Sequence, residues 1–284
     1  MQAQTIKMQG PAVKTSVKAL VAFTYVAMIA VNVLANALPI NGRTTGAISD
    51  AYENLFAPAG LTFAIWGVIY LLLGAHVLYQ LGLFRGADDK GGAGESRRVS
   101  LLERVGVLFS LSSLANIAWI LSWHYDLILV STVLLATMLV LLILITRTIL
   151  AADLSPRDRA FVRLPFSVYF GWITVATIAN ITVWLVSIGW DGFGITESTW
   201  AVVIIAVGAV IGTAVILRDR DIAYGLVLVW AYLGIWIKHT SDTGFQGAYP
   251  AVIATALAGI AAFVAAGVVA LLRRRFNYLL RVVA

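Results

Sequence analysis

Asparagine and tryptophan side chains recur at helical spacing inside the apolar segments of this chain. Residues three, four or seven positions apart share one face of a helix, so each set forms a stripe. An amide that faces hydrocarbon loses its hydrogen bonds to water, so we expect the stripes to point inward, toward one another or toward a ligand. The amide and aromatic residues that we predict to line a pocket are Trp66, Tyr70, Asn116, Trp119, Trp172, Asn180, Asn32, Asn36 and Trp184.

The chemistry of such a pocket is binding rather than catalysis. Aromatic faces supply dispersion and stacking for a flat apolar molecule, and a few amides fix its orientation. No Asp or Glu lies at the centre of an apolar segment, and the chain contains no Cys. These absences argue against a carboxylate proton relay, thiolate chemistry and cysteine-based metal sites. We therefore predict no catalytic residue, no metal site and no cofactor.

Apolar runs long enough to cross a membrane carry these residues. Hydrophobic side chains make up 61% of the 284 residues and charged ones only 12%, which is typical of a membrane protein. The runs are 17–38, 60–83, 102–123, 127–146, 164–188, 199–217, 222–237 and 248–271. An open sheet edge does not persist in hydrocarbon, so we interpret all of them as helices. The predicted fold class is all-α, a polytopic integral membrane protein of about eight transmembrane helices with the pocket in its outer half.

The positions of the basic residues test this number of spans. If the chain crosses the membrane at each run, only Arg43 and Lys238 of the 20 Lys and Arg residues fall on the second side. Cytoplasmic loops carry an excess of Lys and Arg, so the asymmetry predicts a multi-pass protein with both termini cytoplasmic. We attribute the net positive charge to this topology, in a bacterial or archaeal plasma membrane, and predict no nucleic-acid partner.

The first run has an alternative interpretation. Lys14 and Lys18, an apolar stretch and then the small residues of 35–37 (ANA) also fit a secretory signal peptide. The run is longer than the usual signal core of about 7–15 residues, and its Asn32 and Asn36 belong to the predicted pocket. Cleavage after this run would leave seven spans.

Three segments resemble the TspO/MBR family, the tryptophan-rich sensory proteins that include the mitochondrial translocator protein. Residues 56–70 (FAPAGLTFAIWGVIY) are similar to the family's proline-rich entry to its second helix, with a Trp-x-x-x-Tyr ending. Residues 114–122 (LANIAWILS) resemble its Leu-Asn-x-x-Trp-Ser stretch. Residues 164–180 (LPFSVYFGWITVATIAN) resemble its Leu-Pro-Tyr stretch, with the family's interval between Trp and Asn kept.

The segments also depart from the family pattern. Only Pro58 remains of the usual proline pair, and Phe63 lies three rather than four residues before Trp66. Pro165 lies about one helical turn further from its Trp than in the family. These departures affect the shape of the pocket that the resemblance implies.

The resemblance covers residues 17–189 and implies a five-helix bundle that binds porphyrins, sterols or similar flat apolar molecules, as a homodimer. We therefore divide the chain into a TspO-like bundle (1–189) and a three-helix extension with a basic tail (190–284), about which the resemblance says nothing. The implied role is that of a membrane receptor, sensor or transporter for a tetrapyrrole-like ligand, not of an enzyme. Membrane lipid is the other expected partner.

Two other functions remain as alternatives. A secondary transporter or permease for a small neutral solute would use all the helices. The similar stretches NIAWILSW and NITVWLVSIGW, which begin at Asn116 and Asn180, are a short internal echo in its favour. An intramembrane enzyme ranks last, because no carboxylate pair, metal cluster or activated nucleophile is visible.

Overall fold

The computed structural model describes residues 12–38, 40–84 and 93–283, with side chains described for 12–38, 40–84 and 94–273. Within those ranges the chain forms helices and no strand. The helices are α1 (Thr15–Ala37), α2 (Thr45–Ala51), α3 (Ile65–Leu81), α4 (Ala93–His124), α5 (Ile128–Leu150), α6 (Pro156–Ser187), α7 (Glu197–Asp219), α8 (Ile222–Thr240) and α9 (Pro250–Val283). All except α2 are long and apolar enough to span a membrane, giving 8 spans in the described residues. The all-α polytopic prediction is confirmed.

Several helices extend beyond the predicted apolar runs at the end that carries most of the Lys and Arg residues, which we call the basic end. α4 begins at Ala93, well before residue 102, and α9 continues to Val283. α6 begins at Pro156, where Ser155 and Asp158 form a capping box: each accepts the other's backbone N–H at 3.1 Å. Hydropathy marks the part of a helix in hydrocarbon, whereas a helical backbone satisfies its own hydrogen bonds and continues into water.

The first five spans form one bundle. α4 packs between α1 and α5, while α3 and α5 both pack against α6. Val21, Met28, Phe109 and Phe166 are buried in its core. Large apolar side chains such as Phe23, which is 72% exposed, cover the outside, where lipid is their natural solvent.

The last three spans join this bundle through α8. α8 packs against α6, and α9 packs against both α7 and α8. Gly171 on α6 permits a close approach, because a Cβ at that position would lie 3.0 Å from the backbone oxygen of Tyr224 on α8. The Phe170 and Tyr224 rings lie beside this contact, 4.9 Å apart. Helices α7 to α9 are therefore held to the bundle along the length of α8.

A group of charged residues strengthens this junction at the basic end. The Arg147 guanidinium donates two hydrogen bonds to the Asp219 carboxylate, at 3.0 and 2.9 Å. Arg163 donates to the Asp219 backbone carbonyl at 2.9 Å, and Ser167 donates to the Asp221 carboxylate. The fork geometry of Arg suits such paired bonds. Helices α5 and α6 are thereby tied to the turn between α7 and α8.

Candidate ligand pocket

Indoles from three spans meet inside the bundle. Trp66 of α3 stacks on Trp119 of α4, with ring centroids 5.8 Å apart and planes inclined by 28°. Trp66 also meets Trp172 of α6 edge-on at 6.2 Å. Tyr70 stacks on Trp66 at 5.5 Å, and Phe63 contacts the edge of Trp172 at 5.9 Å. Aromatic pairs attract one another at these separations, so the cluster is a cohesive aromatic core.

A cavity of about 60 Å³ lies beside these indoles, away from the basic end. Four of the residues that the sequence predicts for the pocket line this cavity: Trp66, Trp119, Trp172 and Asn180. The other lining residues are Thr45, Ser49, Asn54, Ala57, Pro58, Phe63, Trp123, Val175, Ala176, Ala179 and Val183. None of these residues is charged. The volume suits about two water molecules, at about 30 Å³ each, so the stacked rings leave no room for a larger ligand in this conformation.

Asn180 is the polar hub of the pocket wall. Its Oδ1 accepts the indole N–H of Trp119 at 3.1 Å. Its Nδ2 donates to the hydroxyls of Ser131 at 3.0 Å and Thr132 at 2.7 Å, both on α5. One buried amide therefore joins α4, α5 and α6 and fixes the orientation of the Trp119 ring.

Replacing Asn180 with Ala is expected to lower the free energy of unfolding by about 1–2 kcal/mol, the range for interhelical hydrogen bonds in membranes. The loss leaves the Trp119 indole N–H and two hydroxyls without their acceptor or donor. Thermal unfolding in detergent measures it. Thr137→Ala is the matched control, because Thr137 is exposed on α5 and bonds only to its own helix at Val133. Equal unfolding temperatures for the two variants would contradict this role of Asn180.

One buried donor beside the indoles lacks a partner. Asn32 donates to the Oδ1 of Asn116 at 2.7 Å, which joins α1 to α4 one turn closer to the basic end than Trp119. The indole N–H of Trp172, in contrast, has no hydrogen-bond partner among the described residues. A buried donor without a partner calls for an explanation, and a bound ligand supplies one.

Three tryptophan and asparagine residues lie away from their expected positions. Asn36 is exposed at the end of α1, where its Oδ1 accepts the backbone N–H of Thr45 at 3.3 Å. Trp184 packs outside the cavity, near Ile48 and Trp123. Trp123 lies near the outer end of α4, where a tryptophan is expected to anchor the helix in lipid, but it is 5% exposed and stacks on Trp119 at 6.3 Å. Helical spacing defines a face, but it does not define which neighbour covers that face.

The roof of the cavity is the chain between α1 and α3, residues 40–62, which includes α2, and one side of it is attached to α4. The His124 ring makes two hydrogen bonds to the roof. Its Nδ1 lies 3.0 Å from the Ile40 carbonyl oxygen, and its Nε2 lies 3.1 Å from the Thr45 hydroxyl. The Tyr52 hydroxyl donates to Asp126 at 3.3 Å. Burial and the neighbouring Asp126 carboxylate raise the pKa of Tyr52, so this hydroxyl keeps its proton at neutral pH.

The other side of the roof is attached to α8. The backbone N–H of Ala59 donates to the Gly234 carbonyl at 2.9 Å, and the Trp230 indole donates to the Thr62 carbonyl at 2.9 Å. The His239 ring bonds to the Leu55 carbonyl at 2.9 Å. The C-terminal spans therefore hold the segment that covers the pocket.

The two basic residues that break the charge asymmetry also lie at this end. Arg43 pairs with Asp126, and the Lys238 ammonium lies 3.9 Å from the Asp50 carboxylate. Each has a carboxylate neighbour from a different element. Both pairs therefore connect the roof to the helices beside it.

Five of the eleven lining residues that sequence reasoning missed lie in the roof, namely Thr45, Ser49, Asn54, Ala57 and Pro58. Asn54 makes the local turn: its Oδ1 accepts the backbone N–H of Phe56 at 3.1 Å and of Ala57 at 2.9 Å. This Asx turn places Ala57 and Pro58 over the cavity. An Asn a few residues before a Pro is a turn signal that was available in the sequence. No comparable sequence pattern predicts the contacts between the roof and α8.

The comparison with protein families identifies the chain. A model of the TSPO-like protein family matches residues 18–269. This chain belongs to the TSPO-like family. No curated protein and no solved structure matches it. The family match confirms the resemblance seen in the three segments, and it continues past residue 189 through α7, α8 and most of α9. Membership in the TSPO-like family indicates a membrane protein of the sensor or transporter type, and this family is generally non-enzymatic.

Proposed function

We propose that this TSPO-like protein binds a flat apolar ligand of the tetrapyrrole or sterol kind among Trp66, Trp119 and Trp172, for sensing or transport. The observation that carries the proposal is the indole N–H of Trp172. It is buried without a partner in the wall of an aromatic cavity. Such a donor would orient a ligand whose main interaction is stacking.

Entry of the ligand requires the aromatic cluster to open. Trp66 and Trp119 are nearly parallel at a centroid distance of 5.8 Å. A flat ring inserted between two aromatic faces needs them about 7 Å apart, twice the contact distance of roughly 3.5 Å. Separating the two indoles, or lifting the roof above them, would enlarge the cavity. Burial of the ligand then replaces the ring contacts that are lost.

The uncharged lining defines the chemistry of the buried part of the ligand. No Asp, Glu, Lys or Arg lines the cavity. Burying a charge there would be costly without a partner, so a buried ligand surface must be apolar with at most a few hydrogen-bond acceptors. The macrocycle of a porphyrin and the ring system of a sterol both meet this requirement.

Titration of the purified full chain with a porphyrin tests the proposal, with tryptophan fluorescence as the readout. We expect saturable quenching, because Trp66, Trp119 and Trp172 would lie against the ligand. Quenching that rises linearly without saturation, as from partition into detergent, would count against a defined site. Counterflow in proteoliposomes distinguishes transport from binding alone, and counterflow of a small neutral solute without porphyrin binding would favour a permease.

We further propose a membrane orientation and an assembly. The asymmetry of Lys and Arg assigns the basic end, with both termini, to the cytoplasmic side of a bacterial or archaeal plasma membrane. The family resemblance implies a homodimer. Because the chain has no Cys, single cysteines at Lys14 and Gln246 allow accessibility labelling. Labelling of the Lys14 site in intact cells would reject this orientation.

A further inference from the structure

A second cavity, of about 560 Å³, lies at the basic end of the molecule, far from the aromatic pocket. It is half open and is bounded by α4, the end of α5 and the start of α6. Arg97, Arg98 and Arg104 of α4 line it. Arg97 and Arg104 are two helical turns apart, so they lie on the same face of α4.

The three arginines differ in how far their charge is neutralised. Arg98 lies 3.2 Å from the buried carboxylate of Asp158, which also accepts the Tyr79 hydroxyl at 2.7 Å. Arg97 and Arg104 form no ion pair or hydrogen bond with another described side chain. Asp153 is the only other carboxylate in the cavity lining. The lining therefore holds three guanidinium groups and two carboxylates, which leaves the cavity net positive.

An apolar groove continues from this cavity toward the hydrocarbon. The groove has a volume of about 470 Å³ and shares Ser100 and Arg104 with the cavity. Its apolar walls are Val17 of α1, Val107 and Leu108 of α4 and Leu144 of α5. The ion pair of Lys14 and Glu103, 3.7 Å apart, also lines it. Val107 is 42% and Leu144 44% exposed, so no protein side chain covers them fully. The molecule thus presents positive charge at the end of a span and an apolar channel directly below it.

We propose that the cavity and the groove together bind one anionic phospholipid. The phosphate would lie between Arg97 and Arg104, and an acyl chain would occupy the groove beside Val107 and Leu144. Basic pockets between transmembrane helices bind anionic headgroups, and Arg pairs well with phosphate oxygens. A free phosphate ion could pair with the arginines but has no apolar part to bury in the groove. The groove therefore favours a lipid over a free ion. The site is independent of the aromatic pocket.

Native mass spectrometry of the detergent-solubilised full chain tests this site with phosphatidylglycerol and phosphatidylcholine of identical acyl chains. We expect tighter binding of phosphatidylglycerol. The double variant Arg97→Ala/Arg104→Ala should weaken that binding by about tenfold or more, at roughly 1 kcal/mol for each base near an anionic headgroup. Arg159→Ala is the matched control: Arg159 is exposed at the same end but does not line the cavity. It should change binding by less than about twofold, because an exposed charge outside the lining is screened by water and salt.

Two further measurements keep the proposal falsifiable. Arg97→Lys/Arg104→Lys retains the charges and should restore much of the phosphatidylglycerol binding, which also excludes a folding defect as the cause of its loss. Leu144→Gln should weaken binding of long-chain phosphatidylglycerol more than of its short-chain analogue. Equal binding of the two lipids, or unchanged phosphatidylglycerol binding in the double alanine variant, would overturn the proposal. Displacement of the lipid by millimolar inorganic phosphate would assign the arginines to a soluble anion instead.

Discussion

Alanine at both Trp66 and Trp172 is expected to weaken porphyrin binding by about 100-fold or more. Buried tryptophans that anchor a ligand commonly contribute about 2 kcal/mol or more each, and every 1.4 kcal/mol is a factor of ten in affinity. Both indoles line the cavity, and Trp172 also supplies the buried N–H without a partner. Fluorescence titration of the two remaining pocket tryptophans, Trp119 and Trp123, measures the affinity.

The double variant also removes part of the aromatic core, so a milder variant is needed beside it. Trp→Ala in a packed core costs about 3–5 kcal/mol of stability. Trp172→Phe keeps an aromatic ring and removes only the indole N–H, for which we expect a loss of about two- to tenfold in affinity, the range of one hydrogen bond. Trp236→Ala is the control, since Trp236 lies on α8 outside the lining. Wild-type affinity in both pocket variants would refute the proposed site.

Alanine at Gly234 is expected to lower the free energy of unfolding by about 1–3 kcal/mol, as is usual when atoms are added to a packed contact. A Cβ at this position of α8 would overlap the side-chain oxygen of Thr62 and lie 2.9 Å from its Cβ. The backbone bond from Ala59 to the Gly234 carbonyl, 2.9 Å long, lies at the same contact. The added methyl group therefore pushes the roof segment away from α8. Thermal unfolding and porphyrin affinity should both decrease.

Gly67→Ala provides the matched comparison for Gly234→Ala. Gly67 is an exposed residue of α3, and a Cβ there would meet no atom within 4 Å. We expect a change within about 0.5 kcal/mol, typical of surface substitutions. Similar effects of the two substitutions would show that α8 does not support the roof. A large effect confined to Gly234 would connect the C-terminal spans to the ligand pocket.

The dependence of the roof on α8 gives the C-terminal spans a structural role. The family match includes them, and three hydrogen bonds join α8 to the roof segment. A five-span bundle without α8 would lose these bonds and the Arg147–Asp219 pair at the other end. Removal of residues 200–284 should therefore impair the pocket even though none of the indoles in its wall is deleted.

The eight spans could be derived from the sequence because membrane insertion depends on local properties. The free energy of transferring an apolar run of about 20 residues into hydrocarbon depends on its own side chains and not on the neighbouring helices. The helix ends were less well predicted at the basic end, where α4 starts at Ala93 and α6 at Pro156. Charged residues extend these helices in water, so hydropathy does not record where they begin.

The orientation of the aromatic stripes was also accessible from the sequence, but the hydrogen-bond partners were not. Helical periodicity predicted that Trp66, Trp119 and Trp172 face one another, and their rings are in contact. It did not indicate that Asn180 would hold the Trp119 indole or that Asn36 would bond to the backbone of Thr45. A stripe specifies a face of one helix, whereas a hydrogen bond depends on the rotation and height of the helix opposite.

Hydropathy, charge asymmetry and residue spacing thus determined the membrane class, the number of crossings and the inward position of Trp66, Trp119 and Trp172. Only the tertiary structure decided that α8 holds the roof, through contacts between Gly234 and residues 59–62 that are far apart in the chain. It alone also brought Arg97 and Arg104 beside an apolar groove. The first set of properties depends on the energy of each segment in lipid or water. The second depends on how segments distant in sequence approach one another, and no local pattern encodes that.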